Sequence, residues 1–279
     1  MQTAPDIAAI LTSNAIRTDR GSIPENIHFE LESLEALNVS EETHFWPLIR
    51  QTLVTSLIGR YTKTPCSFLD VGCGNGGLLR HVEKTFPGST VAGMDGYLEA
   101  LVNCRRRNSS SHLFLQDITK SPWMETGESY DVISFMDVLE HLDHPEIALH
   151  ETAKILKKDG VIIVSLPARH ELWSKRDTFL GHRLRYDYRD LRTLMEKSGY
   201  EILHMNYLFS YLYIPMWINR QVIAPIFRIP DDQVEQNEFR IVPLLNRIVT
   251  WIGKLEVMFA AILPVPLGTS LYCVARRKA

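Results

Sequence analysis

The sequence feature that most constrains the fold is a glycine-rich segment, residues 70–77, which reads Asp-Val-Gly-Cys-Gly-Asn-Gly-Gly. It follows a short apolar run over 66–71 and precedes a segment with helical spacing over 78–86. Glycines suit such a junction because the chain turns sharply there and its backbone must approach a ligand closely. The segment therefore predicts a strand, a ligand-binding loop and a helix in succession.

Strand-like apolar runs continue to alternate with helix-like segments after this loop. Continuous apolar runs in such an alternation are typical of a parallel sheet covered by helices on both faces. We therefore predict an α/β fold with a doubly wound, mostly parallel, seven-stranded sheet (Rossmann-like), and a turn at 157–160. The seven predicted strands are 66–71, 90–94, 113–115, 130–136, 161–166, 201–209 and 270–275.

The regions outside this alternation divide the chain into three parts. Residues 1–61 are predicted to form an N-terminal helical cover, with a helix over 40–61, and residues 62–209 with 268–279 form the cofactor-binding α/β core. Residues 210–267 form an insert before the last strand, far longer than an ordinary loop. The insert is apolar with helical spacing in its second half, which predicts a hydrophobic lid or substrate region and leaves a bilayer contact open. Prolines interrupt 255–275, so we predict no membrane span there.

Composition excludes some functions. The formal net charge of −3 gives no basic face for a nucleic acid, and we expect no nucleic-acid partner. The four cysteines form no C-x-x-C pair, which indicates reduced thiols and a cytoplasmic protein, with membrane association left open. The first ten residues lack the pattern of a secretory signal.

Asp70 decides between two cofactors. Gly72, Gly74 and Gly77 also fit the G-x-G-x-x-G dinucleotide pattern. A carboxylate in front of the loop would repel the pyrophosphate of a dinucleotide, whereas S-adenosylmethionine presents an ammonium and a sulfonium cation. We therefore predict S-adenosylmethionine as the cofactor and keep a nicotinamide-dependent oxidoreductase as the alternative.

Five segments in order, 68–79, 91–95, 116–118, 130–141 and 156–167, resemble the motifs of class I S-adenosylmethionine-dependent methyltransferases, in a bacterial small-molecule or lipid-type branch. The resemblance covers 65–170 and the last two strands. It implies that Asp95 binds both ribose hydroxyls and that Asp117 accepts a hydrogen bond from the adenine amino group. We expect the cofactor to be bound by Arg50, Asp70, Gly72, Cys73, Gly74, Asn75, Gly76, Asp95, Gly96, Asp117, Ile118, Met136 and Asp137.

Two histidines are the candidate catalytic bases, since a base is required when the methyl acceptor carries a proton that must leave. His141 directly follows the fourth predicted strand, and His182 lies in a segment with Trp173, Asp177 and Arg185 that resembles one found in a bacterial branch of the family. In quinone-pathway O-methyltransferases a carboxylate-x-x-Glu-His cluster binds a divalent metal, and 137–141 resembles it. We nevertheless predict no metal, because Leu-Glu-His also occurs widely in the family without one.

The sequence thus predicts a methyltransferase that moves a methyl group to a hydrophobic or aromatic small molecule at oxygen. A membrane lipid or isoprenoid acceptor and a non-catalytic cofactor-binding protein remain alternatives. Oligomeric state stays open.

Overall fold

The computed structural model describes residues 16–18, 41–107, 110–227 and 242–278. Within them one sheet has the strand order β1-β4-β3-β2-β5-β6-β8-β7. Its strands are β1 (Ile16–Thr18), β2 (Ser67–Val71), β3 (Thr90–Asp95), β4 (His112–Leu115), β5 (Tyr130–Met136), β6 (Leu156–Pro167), β7 (Tyr200–Leu208) and β8 (Ser270–Arg277).

The pairing of these strands confirms the predicted fold class. Strands β1 to β6 pair in parallel, whereas β8 lies antiparallel between β6 and β7. Chain order reverses between β2 and β5, which lie side by side. In open α/β sheets ligands bind outside the carboxyl ends of the strands at such a switch point.

Nine helices cover the sheet within the described ranges. They are α1 (Phe45–Tyr61), α2 (Gly77–Thr85), α3 (Leu98–Arg107), α4 (Pro145–Ile155), α5 (Lys175–Phe179), α6 (Tyr188–Lys197), α7 (Ser210–Ile218), α8 (Ala224–Phe227) and α9 (Pro243–Ala260). A π-helical segment, Asn219–Ile223, joins α7 to α8. Two buried apolar clusters result, one on each face of the sheet, and α1 and α9 pack into the same one.

The N-terminal region differs from the predicted helical cover. Ile16–Thr18 adds an eighth strand that pairs in parallel with β4, and three residues are too few to show a periodicity in sequence. The helix predicted over 40–61 begins at Phe45, because His44 is its N-cap and accepts a hydrogen bond from the Trp46 amide at 3.2 Å. The remaining residues of 1–40 lie outside the described part.

The predicted turn at 157–160 is also different. β6 begins at Leu156, which pairs with Tyr130, and the next paired residues are Val161 and Val132. Residues 157–160 therefore bulge out of the β5–β6 pairing rather than separating a helix from a strand. Gly160 fits there because a Cβ atom would lie 3.0 Å from the Tyr130 carbonyl oxygen.

The described part of the insert is helical. The two helical patterns of its second half form a single helix, α9, and the chain then leads into β8. Among the described helices, none has the length and apolar character that would carry it across a membrane. The division of the chain into cover, core and insert remains a prediction.

Candidate active site

A cavity of about 460 Å³ opens at the carboxyl edge of the parallel strands. The loop after β2 and the residues that end β5 and β6 form its floor, and α1 and α7 contribute side chains from above. The predicted site residues that line it are Arg50, Asp70, Gly72, Cys73, Gly74, Met136, Asp137 and His182. Those outside its lining are Asn75, Gly76, Asp95, Gly96, Asp117, Ile118 and His141.

The glycine loop folds back onto the neighbouring strand. The amides of Gly72 and Cys73 both donate to the Met94 carbonyl, at 2.7 and 3.1 Å. Gly72 has φ 77° and Gly76 has φ 79°, in the left-handed region that side chains with a Cβ rarely adopt. A Cβ at Gly72 would also collide with the Val138 side chain. The glycines are thus required by the backbone, as predicted for a loop that approaches a ligand.

Asp95 holds this loop from the end of β3. Its carboxylate accepts hydrogen bonds from the Gly74 amide at 2.8 Å and from the Tyr97 amide at 2.9 Å. Burial raises the pKa of Asp95, and these backbone hydrogen bonds oppose the increase. Each carboxylate oxygen has a further lone pair, so the predicted bonds to ribose hydroxyls remain compatible with these contacts.

Asp70 is buried at the end of β2 and faces the cavity. The Ser134 hydroxyl donates to one carboxylate oxygen at 2.6 Å. Burial raises the pKa of Asp70 to about 7, the negative charges of Asp95 and Glu41 add to the increase, and the Ser134 hydrogen bond and Arg50 oppose it. The carboxyl group therefore changes its charge near neutral pH.

Arg50 and Asp137 form an ion pair across the cavity between α1 and the residue after β5. The Asp137 backbone is left-handed, with φ 54°, which turns its side chain away from the strand direction. The Arg50 guanidinium carbon lies 5.3 Å from the Trp46 ring centroid. Burial lowers the pKa of Arg50 to about 10, so it stays charged. Two residues predicted separately thus act as one pair.

Asp117, which is predicted to contact the adenine, forms its hydrogen bonds and ion pair with residues that are its near neighbours in sequence. The Asp117 carboxylate accepts from the amide and hydroxyl of Thr119, at 3.0 and 2.6 Å, and pairs with Lys120 at 3.0 Å. Ile118 packs against the apolar cluster on one face of the sheet. Asn75 is buried and accepts from the Asn103 amide at 3.5 Å.

Cys73 lines the cavity as a neutral thiol. Its pKa lies well above the ordinary value because it is hydrogen-bonded to Cys104 and is buried. A neutral thiol is a poor nucleophile, so Cys73 contributes shape rather than chemistry. All four cysteines are buried, and none of them forms a disulfide.

The other half of the cavity is built around Asp177. The carboxylate oxygen Oδ1 accepts from His182 Nδ1 at 2.9 Å and from Arg185 Nε at 2.8 Å, and the Ser174 amide donates to Oδ2 at 2.9 Å. Burial would raise the pKa of Asp177, but the His182 hydrogen bond and the charge of Arg185 outweigh it and hold the pKa well below its usual range. Asp177 is therefore a buried anion that orients His182.

His141 follows β5, where the sequence placed it, but it lies beside His182 rather than in the lining of the cavity. Its ring meets that of His182 edge to face, with centroids 4.8 Å apart, and it is outside the cavity lining. His141 is exposed, and partial desolvation of its ring, together with the neighbouring His182, lowers its pKa to about 4. Of the two candidate bases, only His182 faces the cavity.

Glu140, His141 and His182 could hold a divalent metal ion, because their ligand atoms lie within 4.8 Å of one another. Glu140 is buried, neither carboxyl oxygen has a hydrogen-bond partner among the described residues, and burial raises its pKa to about 8. Asp137, the first residue of the metal motif that 137–141 resembles, is paired with Arg50 instead. An ion held there would have to take Nε2 of His182, because Nδ1 is hydrogen-bonded to Asp177, and it would supply Lewis-acid chemistry in place of a free imidazole base.

Several lining residues were not predicted as site residues. Asp177 and Arg185 lie in a segment that the sequence analysis identified. However, no rule of sequence spacing predicts that the Asp177 carboxylate contacts His182, five residues later and beyond a short helix. Glu41, Met216 and Arg220 also line the cavity. They come from regions distant in sequence and could not be found without the fold.

Comparison with known proteins identifies the family. A family profile described as "Methyltransferase domain" matches residues 44–205. A ubiquinone biosynthesis O-methyltransferase of Salmonella paratyphi A is 28% identical over 162 residues, 54% of this chain and 65% of that protein. One of Glaesserella parasuis is 32% identical over 104 residues, 35% of this chain and 43% of that protein. The alignments therefore span less than two thirds of these curated relatives.

Solved structures share the fold at low identity. The plantazolicin methyltransferase BpumL, in complex with a triazolic desmethylPZN analog and SAH, has a TM-score of 0.56 at 16% identity, covering 89% of this chain and 91% of that one. A putative methyltransferase in complex with the Haloferax volcanii Trm112 activator has a TM-score of 0.56 at 18% identity, covering 89% and 95%. Since the profile matches more than half of the chain, the protein belongs to the class I S-adenosylmethionine-dependent methyltransferase family.

Proposed function

We propose that the protein transfers the methyl group of S-adenosylmethionine to a hydroxyl oxygen of a hydrophobic or aromatic small molecule. The observation that carries this proposal is the Asp177–His182 pair, which faces the same cavity as Asp70 and the glycine loop. A cofactor-binding half and a base-bearing half of one cavity are what transfer to a protonated acceptor requires.

The cofactor half supplies charge and shape. The Asp70 carboxylate would attract the ammonium or sulfonium cation, and the Arg50–Asp137 pair offers a guanidinium for the cofactor carboxylate. The sulfonium group already activates the methyl carbon, so positioning and exclusion of water account for much of the rate. These residue roles are part of the proposal.

The acceptor half supplies a base. Because Asp177 is an anion and accepts from Nδ1, the His182 proton lies on Nδ1 and Nε2 carries a lone pair. As the acceptor oxygen bonds to the methyl carbon and the carbon–sulfur bond breaks, Nε2 takes the hydroxyl proton. Charge then balances, with a neutral thioether and an imidazolium stabilised by Asp177. Asp177 is a positioning residue in this scheme.

The cavity lining favours an apolar acceptor. Trp46, Pro47, Leu180 and Met216 line it together with the charged groups. The relatives named ubiquinone biosynthesis O-methyltransferase also support an oxygen target and a small acceptor. The buried cysteines, which form no disulfide, support a cytoplasmic location, and we propose in addition a peripheral bilayer contact through 210–267.

A His182→Asn variant tests the proposal, with His112→Asn as a control on the exposed start of β4. Radiolabelled S-adenosylmethionine is supplied with a panel of prenylated phenols and catechols, and label in the product is counted. Loss of a general base lowers kcat by roughly 10²–10⁴-fold, while the affinity for S-adenosylhomocysteine stays unchanged. Asp177→Asn should lower kcat in the same direction.

Two results would contradict the proposal. One is undiminished label transfer by the His182 variant, and the other is label attached to nitrogen or carbon in the product. Binding of S-adenosylhomocysteine without transfer to any acceptor, in the panel or in a lipid extract of cells, would support the non-catalytic alternative instead.

A further inference from the structure

Helix α9 has an inward and an outward face of opposite character. Gly253, Val257 and Ala260 are buried at spacings of four and three residues, which places them on one side. A Cβ at Gly253 would lie 2.7 Å from the Tyr211 hydroxyl and would collide with Ile49. This side is therefore tightly packed against α1 and α7.

The outward face of α9 is apolar and uncovered. Leu244, Ile248, Trp251 and Met258 lie about half a helical turn from the buried residues, and Leu244 and Trp251 are 70% and 64% exposed. Ile262, two residues after the helix, is 78% exposed. Exposed apolar side chains gathered in this way mark an interaction surface rather than scattered surface residues.

Among the described residues of the insert, cations flank this apolar face and no acid lies on it. Arg247 and Lys254, seven residues apart and both exposed, run along one side of the outward residues. Glu256 is the only acid in the described parts of the insert, 210–227 and 242–267. It points inward, where its two oxygens accept from the amides of Phe209 and Ser210 at 2.7 Å each and so cap α7.

Exposed apolar side chains also occur on the first half of the insert. The Tyr211 hydroxyl donates to the Val249 carbonyl at 3.3 Å, which joins α7 to α9. Trp217 and Phe227, on α7 and α8, are exposed as well. We define the outward surface of α7, α8 and α9, with Arg247 and Lys254, as the insert face.

We propose that the insert face docks onto a bilayer that carries anionic phospholipids and that the methyl acceptor is an amphiphile drawn from it. Large aliphatic and tryptophan side chains beside lysine and arginine are the composition of a helix that lies in the membrane interface. A second copy of the chain on this face would bring Arg247 and Lys254 of both copies together, and the only acid in the described parts of the insert, Glu256, points inward. An anionic lipid surface satisfies both the apolar and the cationic residues.

The insert face and the cavity share helix α7. Met216 lines the cavity, whereas the adjacent Trp217 and Ile218 are exposed, so an acceptor tail held at the insert face lies beside the cavity. The acceptor half of this inference rests on the proposed function. The docking half does not, because vesicle binding requires neither cofactor nor turnover.

Vesicle flotation of the full chain tests the docking. Phosphatidylcholine vesicles are compared with vesicles containing 30% phosphatidylglycerol. We expect binding to the anionic vesicles, weakened by salt, and weaker binding to the neutral ones. Arg247→Glu with Lys254→Glu should lower the affinity for anionic vesicles by at least tenfold, since each cation near the surface contributes about fivefold. Ile248→Glu with Trp251→Glu should lower binding to both vesicle types by tenfold or more.

A charge control and a folding control accompany these variants. Lys158→Glu reverses an exposed charge in the bulge after α4, at the opposite end of the strands, and should leave vesicle binding unchanged. S-adenosylhomocysteine affinity shows that each variant is folded. The inference is overturned if the wild type binds neither vesicle, if Ile248→Glu with Trp251→Glu floats like the wild type, or if light scattering shows a dimer that this variant separates. If binding holds but the His182 variant retains its rate, the proposed function fails and the docking stands.

Discussion

The charge of Asp70 should make cofactor affinity depend on pH in a defined way. Burial raises its pKa to about 7, whereas an ammonium ligand requires the carboxylate form. Below pH 7 the protein must lose a proton in order to bind. The affinity for S-adenosylhomocysteine, which carries the same ammonium group, should therefore rise with pH up to about 7.

The size of the effect follows from the fraction of Asp70 that is ionised. With a pKa of about 7, about a tenth is ionised at pH 6 and about a hundredth at pH 5, so Kd should be roughly tenfold and a hundredfold higher than its limiting value. The ligand amino group, with a pKa of about 7.7–8.0, loses its charge above that range. A bell-shaped profile with a maximum between about pH 7 and 8 is expected.

Isothermal titration from pH 5 to 9 at constant ionic strength measures this profile. Asp70→Asn should remove the acid limb, keep the alkaline limb, and weaken binding at pH 7.5 by about 10- to 150-fold, the effect of one hydrogen bond to a charged group. Asp131→Asn, at the other end of the strands and with a pKa already lowered, should leave the profile unchanged. The reasoning is refuted if the acid limb survives in Asp70→Asn, or if it disappears in Glu41→Gln, whose carboxyl also has a raised pKa.

Three further predictions concern packing and capping. Gly253→Ala should lower the free energy of unfolding by about 1–3 kcal/mol, because its Cβ collides with Ile49; Gly59→Ala, with open space around it, should raise it by about 0.5–1 kcal/mol. Urea unfolding measures the free energy of unfolding of both variants. A change of the same sign in the two would contradict the packing of α9. Glu256→Gln should cost about 1–3 kcal/mol and reduce hydrogen-exchange protection of the first amides of α7; unchanged protection would exclude the cap. Three hydrogen bonds lower the pKa of Glu151 despite its burial. Its carboxylate therefore stabilises the fold at pH values above its ordinary pKa of 4.5. Glu151→Gln should therefore be less stable than the wild type at pH 7, and the gap should close in urea titrations as pH falls through the lowered pKa.

The parallel core could be predicted because its signals are local. Each strand of the core is a continuous apolar run next to a helix-like segment, and the predicted ends of β2 to β5 agree with the structure to within one residue. Strand β1 was not predicted because three residues are too few to show a hydrophobic periodicity. Its place at the sheet edge depends on pairing with β4, almost a hundred residues later. The bulge at 157–160 was read as a turn because lysines, aspartate and glycine favour both.

The sequence brought the proposed cofactor-binding carboxylates together for the same reason. Asp70 and Asp95 are among the last two residues of a strand and Asp137 directly follows one, and parallel strands bring such positions to one edge. Their electrostatics were not predicted. The raised pKa of Asp70 depends on burial and on Glu41, which reaches the loop from the segment before α1.

The acceptor half resisted prediction because its residues have no common periodicity. His182 was proposed from its place in the chain, but its role depends on Asp177, which also serves the N-terminus of α5 by accepting from the Ser174 amide. In sequence, an aspartate that caps a helix cannot be distinguished from one that positions a histidine. The structure distinguishes the two roles because the cavity lies on the other side of Asp177. The same holds for α9, whose buried glycine and exposed tryptophan are two residues apart. Hydrophobic spacing predicted the helix, whereas the distribution of Arg247, Lys254 and Glu256 around it indicates the anionic bilayer that its outward face would meet.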